Sequence, residues 1–186
     1  MEKKNFSRNK VRLVLVVAVC VFFVSLAFSG TAPNPKKIQY LNIPAAAFTS
    51  ANEGDLLNED YVNLGSGIFL YGTNIQLSLL CPVYLPQGAT VTNFSVFFYD
   101  TSATTDLHFI ASLHSRPIQT ASPRAMVTIS YGVNGYASGM QYVNDDSISY
   151  ATIENKDNQY YILIGMSYVG AHDDVLFNGC RIAYTL

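Results

Sequence analysis

The stretch Gln76–Leu85, QLSLLCPVYL, sets Leu77, Leu79, Cys81, Val83 and Leu85 at every second position. Successive side chains of a strand point to opposite faces, so this period of two gathers five apolar groups on one side of a β-strand. The alternation recurs along the chain. Val91 to Tyr99 brings Phe94, Val96 and Phe98 together. Leu107 to His114 separates Leu107, Phe109, Ala111 and Leu113 from His108, Ile110, Ser112 and His114. Tyr160 to Tyr168 groups Tyr160, Ile162, Ile164 and Met166, and Leu176 to Tyr184 groups Leu176, Cys180, Ile182 and Tyr184. Arg124 to Tyr131 and Ile148 to Ile153 are weaker strand candidates. No segment after residue 30 sustains a 3.6-residue apolar period, so no long helix is expected there.

Turn chemistry separates the runs. Pro86-Gln87-Gly88, Asp100-Thr101-Ser102, Asn134-Gly135, Asn144-Asp145-Asp146 and Asn155-Lys156-Asp157-Asn158 carry residues that tolerate left-handed backbone or bond their own main chain. Eight or nine strands joined in this way predict an all-β fold, an antiparallel two-sheet sandwich. A jelly roll is the first expectation for its topology and an immunoglobulin-like arrangement the second.

The N-terminus differs in kind. Lys3, Lys4, Arg8, Lys10 and Arg12 stand against one acid, Glu2, and are followed by the apolar run Val11 to Phe28 and the small residues Ser29, Gly30, Thr31 and Ala32. A basic head, a short apolar run and small residues are the layout of a secretory signal peptide, here a signal helix over residues 1–30. An uncleaved anchor is the alternative, since the run is near the roughly 20 apolar residues a spanning helix needs. Cys20 lies inside the run behind Val19, which does not suit a lipoprotein site. Residues 31–38 read as a flexible lead and 39–186 as a single β-sandwich domain, secreted or held in the periplasm or at the cell surface.

Beyond residue 30 the chain has six Lys and Arg and twelve Asp and Glu, a net charge of 6 − 12 = −6. With no basic cluster there, the balance argues against a nucleic-acid partner, because neutralising phosphates needs grouped cations. No second stretch is long enough to span a membrane. Export also gives the cysteines a meaning. Cys81 and Cys180 both fall on apolar strand faces, and in an oxidising compartment a disulfide between them is expected.

The segments Pro82–Thr92 (PVYLPQGATVT), Tyr99–Ser102 (YDTS) and Asn178–Thr185 (NGCRIAYT), with the opening Ile43–Phe48 (IPAAAF), resemble a group of uncharacterised secreted bacterial proteins. The resemblance implies a strand-turn-strand scaffold and brings no activity with it. Gly67-Ile68-Phe69 and Phe177-Asn178-Gly179 are similar to strands of the trimeric jelly rolls of the complement C1q type. That similarity implies architecture alone.

Chemistry-bearing groups are sparse. His108 and His114 lie six apart on one strand, about 20 Å at roughly 3.3 Å per residue, too far to share a metal. Asp173 and Asp174 follow His172, and with Asp145 and Asp146 they form a candidate calcium site of oxygen ligands. The plainer reading is acidic turn residues. No Gly-x-Ser-x-Gly elbow is present. All thirteen tyrosines lie after residue 30, and tryptophan is absent. Tyr131, Tyr136, Tyr142 and Tyr150 cluster around Gly132, Asn134, Gly135 and Gly139, a candidate ligand-binding edge, against the alternative of strand tyrosines with rings in the core. Three functions follow from these features. The first is a non-enzymatic secreted structural or interaction module, able to self-associate as a homo-oligomer and meeting an extracellular protein or glycan. The second is a carbohydrate-binding module using the tyrosine-rich loops. The third is a small secreted hydrolase around His172.

Overall fold

The alternation of Gln76–Leu85 is realised as the inner side of a strand, with Leu77, Leu79, Cys81, Val83 and Leu85 all buried. The computed structural model describes residues 36–51, 61–70, 75–100, 106–120, 122–132, 139–169 and 175–186. Residues 1–30, read from sequence as a signal segment, lie outside the described residues. Among the described residues, eleven strands run through the unit Lys37–Leu186. They are β1 (Ile38–Pro44), β2 (Thr49–Ser50), β3 (Tyr61–Asn63), β4 (Ile68–Leu70), β5 (Ile75–Val83), β6 (Thr90–Asp100), β7 (Asp106–Pro117), β8 (Arg124–Gly132), β9 (Gly139–Asp145), β10 (Asn158–Val169) and β11 (Val175–Thr185).

All the strand pairs are antiparallel. One sheet, here sheet A, has the order β3-β4-β11-β6-β9, with β1 also paired to β11. The other, sheet B, has the order β2-β5-β10-β7-β8. Strands β4 to β11 therefore interleave as β4-β11-β6-β9 over β5-β10-β7-β8, which is the jelly-roll order of two folded Greek keys. The chain crosses from β1 to β2 through the 3-10 turn Ala45–Ala47, where Ala45 and Phe48 are buried and Phe48 packs edge-on against Phe177 with centroids 5.0 Å apart. The stretch Ile43–Phe48 thus carries the chain from sheet A to sheet B with Ile43, Ala45 and Phe48 in the core.

The core is built from the inward rows. Phe94, Val96 and Phe98 of β6 face Phe109, Ala111 and Leu113 of β7, all buried, as Ile162 and Ile164 of β10 also are. Phe98 lies 5.0 Å from Phe109 and 4.8 Å from Tyr131, joining the two sheets by aromatic contact. The turns follow the sequence signals. Gly88 has φ +78, and Ala89 N donates to Pro86 O at 3.1 Å. Asp157 N and Asn158 N both donate to Glu154 O.

Four expectations differ. Ile38, assigned to the flexible lead, opens β1 and pairs with Thr185. The Gly139–Asp145 stretch, read as tyrosine-bearing loop, is an edge strand whose alternating exposure spans only seven residues. Ile148–Ile153 is not a strand, although Thr152 makes an isolated bridge to Thr90. In β11 it is Phe177 rather than Leu176 that is buried, because a bulge between Phe177 and Gly179 shifts the register and reverses the faces.

Where a Cys81–Cys180 disulfide was expected, the structure holds two free, buried thiols. They sit on facing sheets, Cys81 on β5 and Cys180 on β11, both among the inward rows of the core. Cys81 instead donates its S–H to Pro82 O at 3.4 Å. Burial pushes both thiols up, Cys180 well above the usual range, and a Cys81 charge nearby would raise Cys180 further. Thiolate is the reactive form. The native protein is therefore expected to resist iodoacetamide at neutral pH, and unfolding without reductant to expose two labelled thiols by mass spectrometry. A labelled native protein, or an unlabelled unfolded one, contradicts this arrangement.

Candidate functional site

The outward rows of sheet A carry the largest group of exposed rings. Because β6 buries Phe94, Val96 and Phe98, it must turn Phe97 and Tyr99 outward. Pairing then fixes the neighbours. Phe97 stands opposite Gly179 on one side and Tyr142 on the other, and Arg181 stands opposite Asn42 and Ser95. Tyr99 stands opposite Leu176 and Met140.

The side chains use this register. Phe97 and Tyr142 stack, with centroids 6.0 Å apart and planes 27° from parallel. The Arg181 guanidinium lies over Phe97 at 5.2 Å and over Tyr40 at 5.5 Å. Its Nε donates to Asn42 Oδ1 at 2.7 Å, which fixes its orientation. Tyr40, Arg181, Phe97 and Tyr142 thus form one ladder over four strands, about 14 Å wide at the usual strand spacing. The two outer rings are 59% and 65% exposed. Beside the ladder runs an open groove of about 370 Å³ lined by Pro44, Phe97, Met140, Asn178, Gly179 and Arg181. Gly179, at φ +137 beside the β11 bulge, is part of its lining. Asn178 Nδ2 contacts Met140 Sδ at 3.1 Å across the groove.

The face has a distinct chemistry. Ile38, Tyr40, Tyr99, Met140 and Tyr142, five of the eleven exposed large hydrophobics, belong to it. Asn42, Asn93, Ser95, Asn144 and Asn178 supply uncharged donors and acceptors. Among the described residues of its strands' outward rows, Arg181 is the single charged side chain. A concave, mostly apolar surface with a few fixed polar groups is the usual composition of a small-ligand site.

The structure divides the tyrosines named from sequence. Tyr142 belongs to the ladder. Tyr131 does not; it is packed into the core against Phe98 and Phe109. Tyr150 lies elsewhere, with positive φ, under Arg124 at 5.5 Å and beside a smaller pocket that includes Glu154 and Tyr160. Tyr136 lies outside the described residues. Tyr160 shows the core alternative in full, its ring buried and its hydroxyl accepting from Glu154 N at 2.8 Å. Tyr40, Phe97 and Arg181 were missed, although the outward position of Phe97 was implied by the inward row beside it.

The acidic set is only half visible. Asp145 Oδ1 accepts from Ser147 N at 2.7 Å, a turn-forming bond, and Asp173, Asp174 and His172 lie outside the described residues. No group of three or more metal-ligating side chains occurs among the described residues. His108 and His114 face Ser167 and Tyr161 of β10, far apart on β7 as expected. His114 stacks on Tyr161 at 5.1 Å with planes 8° apart, and burial lowers its pKa. No helix among the described residues is long and apolar enough to cross a membrane.

No protein-family model matches the chain, and no curated protein is similar to it in sequence. Among solved structures it is similar to the xylan-binding module CBM15, at 7% identity and TM-score 0.43, covering 81% of this chain and 97% of that one. It is similar to the family 11 carbohydrate-binding module from Clostridium thermocellum, at 12% identity and TM-score 0.33, covering 83% and 91%. It is also similar to the infectious bursal disease virus VP2 subviral particle, at 11% identity and TM-score 0.39, covering 84% and 36%. None of the three shares enough with this chain to carry a site residue across.

Proposed function

We propose that the protein is a non-enzymatic carbohydrate-binding module, exported by its N-terminal segment, and that the outer face of sheet A holds the glycan. The observation that carries the reading is the exposed ladder Tyr40–Arg181–Phe97–Tyr142 beside the groove. Sugar rings present apolar C–H faces and polar hydroxyl rims. Aromatic rings match the first and the Asn and Arg side chains the second. Exposed rings with fixed amides and one ordered guanidinium are the equipment of binding.

A glycan array followed by affinity electrophoresis tests this. The wild-type protein is expected to bind at least one polysaccharide, and Tyr142→Ala with Phe97→Ala to weaken it about tenfold or more, roughly 1.4 kcal/mol. Tyr84→Ala, at the exposed end of β5 and off this face, is expected to leave binding unchanged. Silence across the array, or full binding by the double variant, overturns the reading.

A further inference from the structure

We infer that the glycan taken by this face is acidic, a sugar whose carboxylate is received by Arg181. The inference rests on the carbohydrate-binding reading and names the substrate class.

The domain is rich in acids, twelve against six Lys and Arg after residue 30, yet the described outward rows of sheet A contain none. Arg181 is left there as a cation with no carboxylate partner among the described residues. It is also held still. Tyr40 and Phe97 cover the guanidinium on two sides, and Asn42 occupies Nε. Both Nη groups remain without a protein partner among the described residues. Those two nitrogens are a planar fork that matches a carboxylate with paired hydrogen bonds, and a fork already ordered loses little entropy on binding. A neutral glycan would use the rings and amides but would leave this charge unanswered.

The position of the charge fits a pyranose. Arg181 lies between two aromatic rings and at the lip of the groove. A sugar ring resting against Phe97 or Tyr40 would bring a carboxyl substituent on its rim to the guanidinium. The absence of acids from the same rows removes the repulsion that a uronate chain would meet elsewhere on a domain of net charge −6.

Calorimetry with the full mature domain tests the inference, using polygalacturonate and alginate, each against its esterified, uncharged form, with dextran and dextran sulfate beside them. The expected result is binding of one acid form about tenfold tighter than its ester. Arg181→Gln is expected to bind acid and ester alike, with an unchanged thermal melt, and Arg181→Lys to recover only part of the preference because it keeps the charge without the fork. Equal binding of acid and ester by the wild type overturns the inference and leaves the glycan reading standing. So does an acid preference that survives in Arg181→Gln. Dextran sulfate binding tighter than any polyuronate replaces the carboxylate with a sulfate ester. Failure to bind any polymer, charged or neutral, removes the glycan reading and the inference with it.

Discussion

Gly179→Ala is expected to lower the stability of the domain by about 3 kcal/mol, because it combines an unfavourable backbone with a backbone clash. Gly179 has φ +137, outside the range an alanine adopts freely. A Cβ there would overlap the Ile43 carbonyl oxygen and stand 3.2 Å from Ala45 N. Both are backbone atoms held in place, Ile43 in β1 opposite Cys180 of β11 and Ala45 at the buried start of the 3-10 turn. For a domain of this size the effect is about 6–12 °C in melting temperature, read by circular dichroism. Gly165→Ala is the control. Gly165 has no left-handed backbone and its added Cβ would meet only Ile110 O, at 4.0 Å. It is expected to shift stability by less than about 1 kcal/mol. Equal melts for the two variants would mean that the β11 bulge is not held as described.

Phe98→Ala is expected to cost about 3–5 kcal/mol, the usual range for emptying a buried phenylalanine site. Phe98 is 1% exposed and is the contact through which β6 meets Phe109 of β7 and Tyr131 of β8. No single neighbour can fill the void, because Phe109 and Tyr131 are themselves stacked at 5.2 Å and 22°. Against a total of about 5–15 kcal/mol this leaves a marginal fold. The urea midpoint is expected to fall by about 2 M at a slope of 1–3 kcal/mol/M. Phe97→Ala, one residue away on the outward side, is expected to move the midpoint far less. A larger loss from Phe97 than from Phe98 would invert the assignment of the two faces of β6.

The fold was legible where strands are long and two-faced. Gln76–Leu85, Val91–Tyr99 and Tyr160–Tyr168 bury one face only, so period two survives in the sequence. It was lost where a bulge changes parity. Leu176 and Phe177 are both apolar, and only the extra residue at Asn178 decides which of them is inside. It was lost also in β9, where both faces of Gly139–Asp145 are at least partly exposed and composition alone suggests a loop. The candidate site suffered more. A ladder across four strands joins residues 40, 97, 142 and 181, and no local pattern expresses pairing at such separations. Grouping tyrosines by nearness in sequence placed Tyr131, a core ring, beside Tyr142, a surface one. For the cysteines the shared inward facing was readable, since Cys81 and Cys180 are both buried.

The order of strands in sheet A bears on how the protein comes to be folded. β11 lies between β6 on one side and β1 with β4 on the other, so the first strand of the domain and the last are partners, Ile38 meeting Thr185. Until Val175–Thr185 has been synthesised, β1, β4 and β6 have no common neighbour, and the half-made sheet exposes unpaired edges on both sides of a gap. Such distant pairing raises contact order and places folding in the millisecond-to-second range.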